Sequence, residues 1–247
     1  MKSTYKILIC IPTYNEYENV SQLYAEIKKL PFKADILFCD DNSPDGTGAL
    51  IDQLIAHDSS VHVIHRPRKM GTGTAFIESF KFAHHNDYTH LVTMDADFTH
   101  DPSYIVPMME VDFNRYDIVI GSRYAPGGSM VGWSKVRLPF TYFWKYMIQT
   151  FLKMPYDCTG AFRVYQVPLL KPEIYTHIEA QGFAFCMESL YRFVQHGARI
   201  TEIPITAHNR KKGGSKLSYK IMSEAAQKFI VLAWQNYHHK KKALSIK

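Results

Sequence analysis

Long apolar runs are missing from this sequence. The longest strong run near the C-terminal end, Phe229 to Trp234, is far short of the roughly 20 residues that cross a bilayer. It is therefore not read as a membrane-spanning helix. Near Met1 a single short apolar run lacks the small-residue cleavage pattern of a signal peptide and reads as a first strand. Cysteine is scarce and dispersed: four residues, at positions 10, 39, 158 and 186, show no metal-type spacing with histidine. Cys10 and Cys39 fall inside apolar runs, where cysteine behaves as a small buried hydrophobe. The four are read as reduced thiols, and the chain as cytoplasmic. No Pro/Gly/Ser-rich linker, charge block, internal repeat or low-complexity segment divides the chain, so 247 residues of 46% hydrophobic content imply one globular domain. The net charge of +6 suits nucleic acid, anionic lipid or phosphorylated substrates alike. A basic stripe interleaved with aromatics is missing, so no nucleic-acid partner is expected.

What is present is alternation. The short apolar runs Ile7 to Ile11, Ile36 to Cys39, Val61 to Ile64, Leu91 to Met94 and Ile118 to Ile120 read as buried strands. Between them lie helical spacings, for example Val20, Leu23, Tyr24 and Ile27, then Leu50, Ile51, Leu54 and Ile55. Strands separated by helices imply an α/β fold with a mostly parallel sheet. Ligands of such sheets bind beyond the carboxyl ends of the strands. Polar and acidic residues concentrate in the loops found there: Pro12 to Glu16, Asp40 to Gly48, Arg66 to Thr74, Asp95 to Pro102 and Ser122 to Gly128. The second half is less regular. It holds an aromatic segment from Trp133 to Phe151, a strand-like Phe162 to Val167, a helix-like Cys186 to His196 and a strand from Arg199 to Thr206. A basic, glycine-bearing loop, Asn209 to Ser218, leads into a final helix expected from about Tyr219 to Tyr237 and a Lys-rich tail.

Asp95 and Asp97 follow a strand, and alternation of strand side chains puts both carboxylates on one side of its mouth. Two converging carboxylates suit a hard cation such as Mg²⁺, which is held by one or two carboxylates plus substrate phosphates. Taken alone, the pair also fits a turn that caps the helix starting near Pro102.

The neighbouring loops extend the pattern. Pro12, Thr13, Tyr14, Asn15 and Glu16, the run Asp40 to Thr47, and Asp95, Ala96 and Asp97 resemble GT-A fold, family 2 glycosyltransferases, within which the chain is most similar to the dolichol/polyprenol phosphate mannosyltransferase group. The resemblance continues through Arg66, Lys69, Gly71, Gly73 and Ala75, through Gly121 to Tyr124, and through Thr159, Gly160, Phe162 and Arg163 to Arg210, Gly214, Ser215, Lys216 and Leu217. It implies a GT-A (Rossmann-like) mostly parallel central sheet with flanking helices in a single domain, the catalytic unit spanning 1–218 and a C-terminal helix and basic tail spanning 219–247. Pro12, Tyr14, Glu16 and Asp41 are then expected to contact the nucleoside. Glu16 and Asn15 also fit helix capping, and Asp45 with Gly46 also fits a plain turn.

By the same resemblance Asp95 and Asp97 hold Mg²⁺ or Mn²⁺. Asp97 is the first choice for direct ligation, with Asp95 and Ala96 nearer the sugar nucleotide. Lys69 stands with Arg66 beside Gly71 and Gly73 where a phosphate or sugar approaches, although both cations also read as solvated surface charges. Arg123, Arg137, Arg210 and Lys216 are the cations for the remaining phosphate charge, and Arg137 reads equally well as a surface residue. Asp95, Asp97, Arg123, Arg210 and Lys216 make up the expected catalytic set. Some relatives carry a metal-binding glutamine where this chain has Thr99, which leaves the third protein ligand open.

The implied activity is metal-dependent, inverting transfer of a hexose, mannose from GDP-mannose as first choice, onto a polyprenyl or dolichyl phosphate. UDP-glucose or UDP-N-acetylhexosamine with another acceptor is the alternative. A phosphate acceptor needs no strong base; a hydroxyl acceptor would, and Glu188 is the one candidate. The string Asp95 to Thr99 also fits haloacid-dehalogenase-like phosphatases, which expect that motif on the first strand; a non-catalytic sugar-nucleotide-binding scaffold is the remaining alternative. The aromatics from Trp133 to Met147 and the terminal lysines read either as core and solvated tail or as a peripheral membrane contact. A membrane-anchored partner is the other route to a lipid acceptor.

Overall fold

The computed structural model describes residues 5–134, 137–182, 184–209 and 219–244. Its main sheet is built from β1 (Ile7–Thr13), β2 (Asp35–Asp40), β3 (Val61–His65), β4 (His90–Thr93), β5 (Ile118–Ser122), β7 (Arg163–Gln166) and β8 (Ile200–Pro204). Two further strands, β6 (Ser129–Val131) and β9 (Thr206–His208), pair in parallel as a small second sheet. The seven strands lie in the order β3-β2-β1-β4-β7-β5-β8. All neighbours run parallel except β7, which is antiparallel to both β4 and β5.

The inner strands β1, β2, β4 and β5 are mainly apolar and buried because both faces are covered, and their two-residue period splits them between two cores. Leu8 and Cys10 of β1 and Leu37 and Cys39 of β2 point into one core, with Phe76, Phe80, Leu190 and Phe193. Ile7, Ile9, Ile11, Ile36 and Phe38 point into the other, with Val20, Leu23, Ile51, Ile105 and Met108. The first is covered by α3 (Thr72–His85) and α7 (Phe185–Gln195), the second by α1 (Tyr17–Lys28), α2 (Thr47–His57) and α4 (Ile105–Met109). All four cysteines are free and buried.

The less regular second half departs from the sequence expectation at two points. The single strand expected from Arg199 to Thr206 is two: β8 ends at Pro204, which has no N–H to continue the ladder. Ile205 then bridges the sheets, donating to Ser122 and accepting from Ser129 (both 3.0 Å). The final helix, α8 (Tyr219–Leu244), runs past the expected end at Tyr237. It lies against α5 (Arg137–Met147) and that helix's wider-wound continuation Ile148–Leu152, with Phe229 edge-on to Trp144 and Phe151 (centroids 5.4 and 6.1 Å). A short α6 (Pro172–Tyr175) precedes α7. Among the described residues no helix is long and apolar enough to cross a membrane.

Candidate active site

Chain direction places the site. From β1 the sheet grows one way through β2 to β3 and the other way through β4, so the loops leaving β1 and β4 diverge and open a crevice between their carboxyl ends. Pairing of β1 with β4 ends at Cys10 and Thr93. Pro12, which has no amide to offer a second neighbour, falls just beyond that limit while still in register with Cys39 of β2. The loops carrying Pro12 to Glu16 and Asp95 to Asp97 therefore face each other across the crevice.

On the β1 side, hydrogen bonds assemble one wall from three loops. Asp40 accepts from the hydroxyls of Thr13 (2.9 Å) and Ser43 (2.6 Å). Asp45 accepts from the amide and hydroxyl of Thr47 and from the amide of Tyr17, while Gly46 takes φ +90°, so Asp45 and Gly46 form a turn that opens α2. Glu16 is buried at the start of α1 and accepts from the Asn19 amide group at 2.7 Å. Asp41 is buried and ion-paired with Arg66, and its second oxygen accepts from the Gly71 amide at 3.2 Å. Burial raises the Asp41 carboxyl above its ordinary value, and Arg66 only partly offsets it. Lys69 lies over the Tyr14 ring, 4.2 Å from its centroid. Tyr14, Asp41 and Lys69 thus share one wall with Pro12 and Glu16.

Of the two readings of Arg66, the solvated surface charge does not hold: besides Asp41 it binds the Thr74 hydroxyl and the Gly71 carbonyl, and it is 5% exposed. Nor do Gly71 and Gly73 owe their lack of a side chain to a ligand alone. A Cβ on Gly71 would drive into the Gln181 carbonyl, and one on Gly73 would sit 2.7 Å from the Ala180 carbonyl. The close approach is between two protein loops.

On the β4 side, the capping role once open to the two aspartates belongs to Asp101, which accepts from the Ser103 amide at 2.8 Å. Asp97 accepts from the Thr99 amide at 3.0 Å, and Phe98 between them is left-handed at φ 58°. For a residue with a Cβ that backbone is strained, as functional turns often are. Asp97 and Ala96 are buried and Asp95 is half-buried. The donor set is hard oxygen, and no group of three or more His, Cys, Asp or Glu able to hold a metal occurs among the described residues. Two carboxylates complemented by donor phosphates fit Mg²⁺ or Mn²⁺; a closed zinc site does not fit. His100, the histidine beside this loop, is stacked on Phe162 with centroids 5.1 Å apart, and its Nδ1 lacks a hydrogen-bond partner. Burial, reinforced by Arg123, lowers its pKa to about 4, so the ring is neutral at pH 7.

Arg123 stands at the end of β5, but its charge is already matched. It gives Nε and Nη2 to the two oxygens of Asp157 at 2.9 and 2.8 Å, and Nη2 also reaches the Thr159 hydroxyl at 2.7 Å. Asp157 was missed by the sequence reading, and its only signal is its place two residues before the Thr159, Gly160 motif. Arg137 is the first residue of α5. Arg210 and Lys216 lie outside the described residues. The strand leading to them does abut the Asp97 loop: His208 donates its amide to the Thr99 carbonyl at 3.0 Å, and Asn209 to that of Val131 at 2.9 Å.

Residues 8–171 match the family model described as "Glycosyl transferase family 2". An undecaprenyl-phosphate mannosyltransferase of Micrococcus luteus is 37% identical over 221 residues, covering 89% of this chain and 90% of the relative. A polyprenol monophosphomannose synthase of Mycolicibacterium smegmatis is 34% identical over 236 residues, covering 95% and 88%. Among solved structures, a glucosyl-3-phosphoglycerate synthase of Mycobacterium tuberculosis, crystallised with Mn²⁺, uridine diphosphate and phosphoglyceric acid, shares the fold. Its TM-score is 0.66 at 13% identity, over 95% of this chain and 79% of that one. The GT-A architecture expected from the strand-end motifs is the one found, and the chain belongs to glycosyl transferase family 2.

Proposed function

We propose that this enzyme transfers a mannosyl group from GDP-mannose to a polyprenyl phosphate in a divalent-metal-dependent, inverting displacement. The observation that carries the reading is the crevice between β1 and β4, where Asp95, Ala96 and Asp97 face a wall made by Tyr14, Asp41 and Lys69. The names of the two relatives supply the choice of sugar and acceptor.

In this reading Tyr14, Glu16 and Asp41 receive the nucleoside, and Asp95 and Asp97 hold Mg²⁺ or Mn²⁺ against the diphosphate. When bound, the metal neutralises charge on the leaving nucleoside diphosphate. Lys69, Arg137, Arg210 and Lys216 contribute the remaining positive charge. Arg123, balanced by Asp157, holds the loop after β5 against Thr159.

A phosphate acceptor is already largely anionic at neutral pH, its second pKa being about 6, so the attacking oxygen needs no general base. The fate of Glu188 supports that acceptor. The one residue considered as a base for a hydroxyl acceptor is 0% exposed, and its carboxylate binds the amides of Glu179 and Ala180 and the Arg192 guanidinium.

Contact with a lipid surface belongs to the same proposal. The aromatic segment divides: Trp144 packs on Phe229, whereas Phe143, Tyr146 and Phe151 of the α5 region and Trp234 and Tyr237 of α8 stay half or more exposed. Amphipathic rings on two adjacent helices suit a membrane interface.

The test is to incubate the protein with Mg²⁺ or Mn²⁺, polyprenyl phosphate and a panel of nucleotide sugars. The expected result is lipid-linked mannose and GDP from GDP-mannose alone, lost in Asp97→Ala. Turnover with a UDP-sugar instead would replace the donor assignment, and full turnover by Asp97→Ala would overturn the metal role.

A further inference from the structure

The turn that binds Asp41 is held by Thr74 and Arg66 on one side and braced by a second loop on the other. Gly73 donates its amide to the Gln181 carbonyl at 2.8 Å, and the glycines at 71 and 73 let segment 179–182 press directly against it. That segment is itself held from behind. Glu188, near the start of α7, takes the amides of Glu179 and Ala180 on one oxygen (3.1 and 2.9 Å) and Arg192 on the other (2.7 Å). Lys228 of α8 lies 2.7 Å from Glu179 and 3.4 Å from Glu188. One turn earlier on α8, Glu224 accepts from the Gly182 amide at 3.4 Å. A continuous set of contacts therefore runs from α8 through 179–182 to the Gly71 amide, and so to the carboxylate of Asp41.

We infer that α8 positions the Gly71–Gly73 turn of the donor pocket, with Glu188 and Lys228 as the positioning residues. The importance of that turn for the donor rests on the function proposed above. The outer face of the same helix exposes Ile230, Trp234 and Tyr237. Whatever shifts α8 against 179–182 is thus felt at Asp41. Charge makes the link selective. Lys228 is 13% exposed and stands between two carboxylates, whereas Glu179 is 76% exposed and rehydrates at little cost once the lysine is gone. Glu188 keeps two amides and Arg192, so removing Lys228 loosens the tether without leaving a bare buried charge.

The test compares wild type, Lys228→Met and Lys228→Arg as full chains, first by hydrogen exchange without ligand and then by donor kinetics. Exchange across 71–74 should quicken by about tenfold in Lys228→Met and return toward wild type in Lys228→Arg, with the β1 and β2 amides unchanged. Donor KM should rise about fivefold in Lys228→Met, with kcat and acceptor KM held within about twofold. Unchanged exchange at 71–74 overturns the inference, as does acceleration spread evenly over the sheet, which marks general destabilisation. Should exchange respond while wild type binds neither GDP nor UDP, the tether stands and the proposed donor fails.

Discussion

Two buried arginine–carboxylate pairs flank the crevice, and they are built to different ends. Asp157 is saturated: it accepts from the Arg123 amide, from Nε and Nη2 of the guanidinium, and from the Thr159 amide and hydroxyl. Burial alone would raise its carboxyl, but Arg123 outweighs this and brings it down to about 2. Asp41 has one guanidinium and the backbone amides of Met70 and Gly71, fewer partners than Asp157, and burial wins, leaving its carboxyl above the ordinary value. A saturated pair is scaffold. An under-satisfied carboxylate at a pocket wall retains acceptor capacity for a ligand, such as the hydroxyls or ring amines of a nucleoside.

The largest expected effect breaks the saturated pair. Asp157→Asn leaves the Arg123 charge buried without its partner and should cost about 3–5 kcal/mol of folding stability, read from urea midpoints. Asp41→Asn should cost less, about 1–2 kcal/mol, because Arg66 keeps the Thr74 hydroxyl and the Gly71 carbonyl. It should instead weaken nucleotide binding about tenfold. If the two variants lose equal stability and Asp41→Asn binds nucleotide normally, the distinction between scaffold and site collapses.

The pairs also differ in the sign of their pH dependence. The Asp157 carboxyl lies below its ordinary value of 3.8, so its stabilisation is complete above that pH. It drains away as pH falls toward about 2, amounting to roughly 2 kcal/mol over that window. The stability gap between wild type and Asp157→Asn should therefore narrow on acidification from pH 4. Asp41, with its raised carboxyl, contributes in the opposite sense: its share is present at low pH and lost as pH rises through its folded value. Against Asp41→Asn, wild type should gain relative stability on acidification. A common slope for both pairs, measured by chemical denaturation at a series of pH values, would remove the contrast.

How much of this was readable beforehand follows from the range of the interactions. Strands β1 to β5 were legible because each is an apolar run bounded by polar loop residues, a local signal. Asp95 and Asp97 stand out locally as a strand-end pair, but alone they fit a turn, and only the resemblance of the neighbouring loops points them toward a metal. The antiparallel insertion of β7 was not, since the run from Phe162 to Val167 looks the same in either direction. Asp157 and Arg123 are 34 residues apart, and neither sequence neighbourhood names the other. Arg66 reads as a cation near a phosphate, with a solvated surface charge as the alternative; its pairing with Asp41 is not legible, because nothing local shows that β2 and β3 end side by side. The glycines at 71 and 73 were noticed for the right property, absence of a side chain, but with a ligand in place of residues 180 and 181.

The smallest expected effect tests the open rim of the donor wall, where Lys69 is exposed and lies over Tyr14. A cation at such a site contributes about 0.5–1 kcal/mol to the ring it covers. Lys69→Met should therefore leave the urea midpoint close to that of wild type, since little buried surface or hydrogen bonding is lost. A nucleotide diphosphate arriving beside Tyr14 meets that cation, and screening by water limits its contribution there to a few-fold in affinity. Isothermal titration with the nucleotide at two salt concentrations separates the two roles. A loss of about three- to fivefold that shrinks at high salt marks a charge facing the phosphates, and Lys69→Arg should restore it. Equal affinity at both salts in Lys69→Met would confine Lys69 to holding the Tyr14 ring and leave the phosphate charge to Arg137, Arg210 and Lys216.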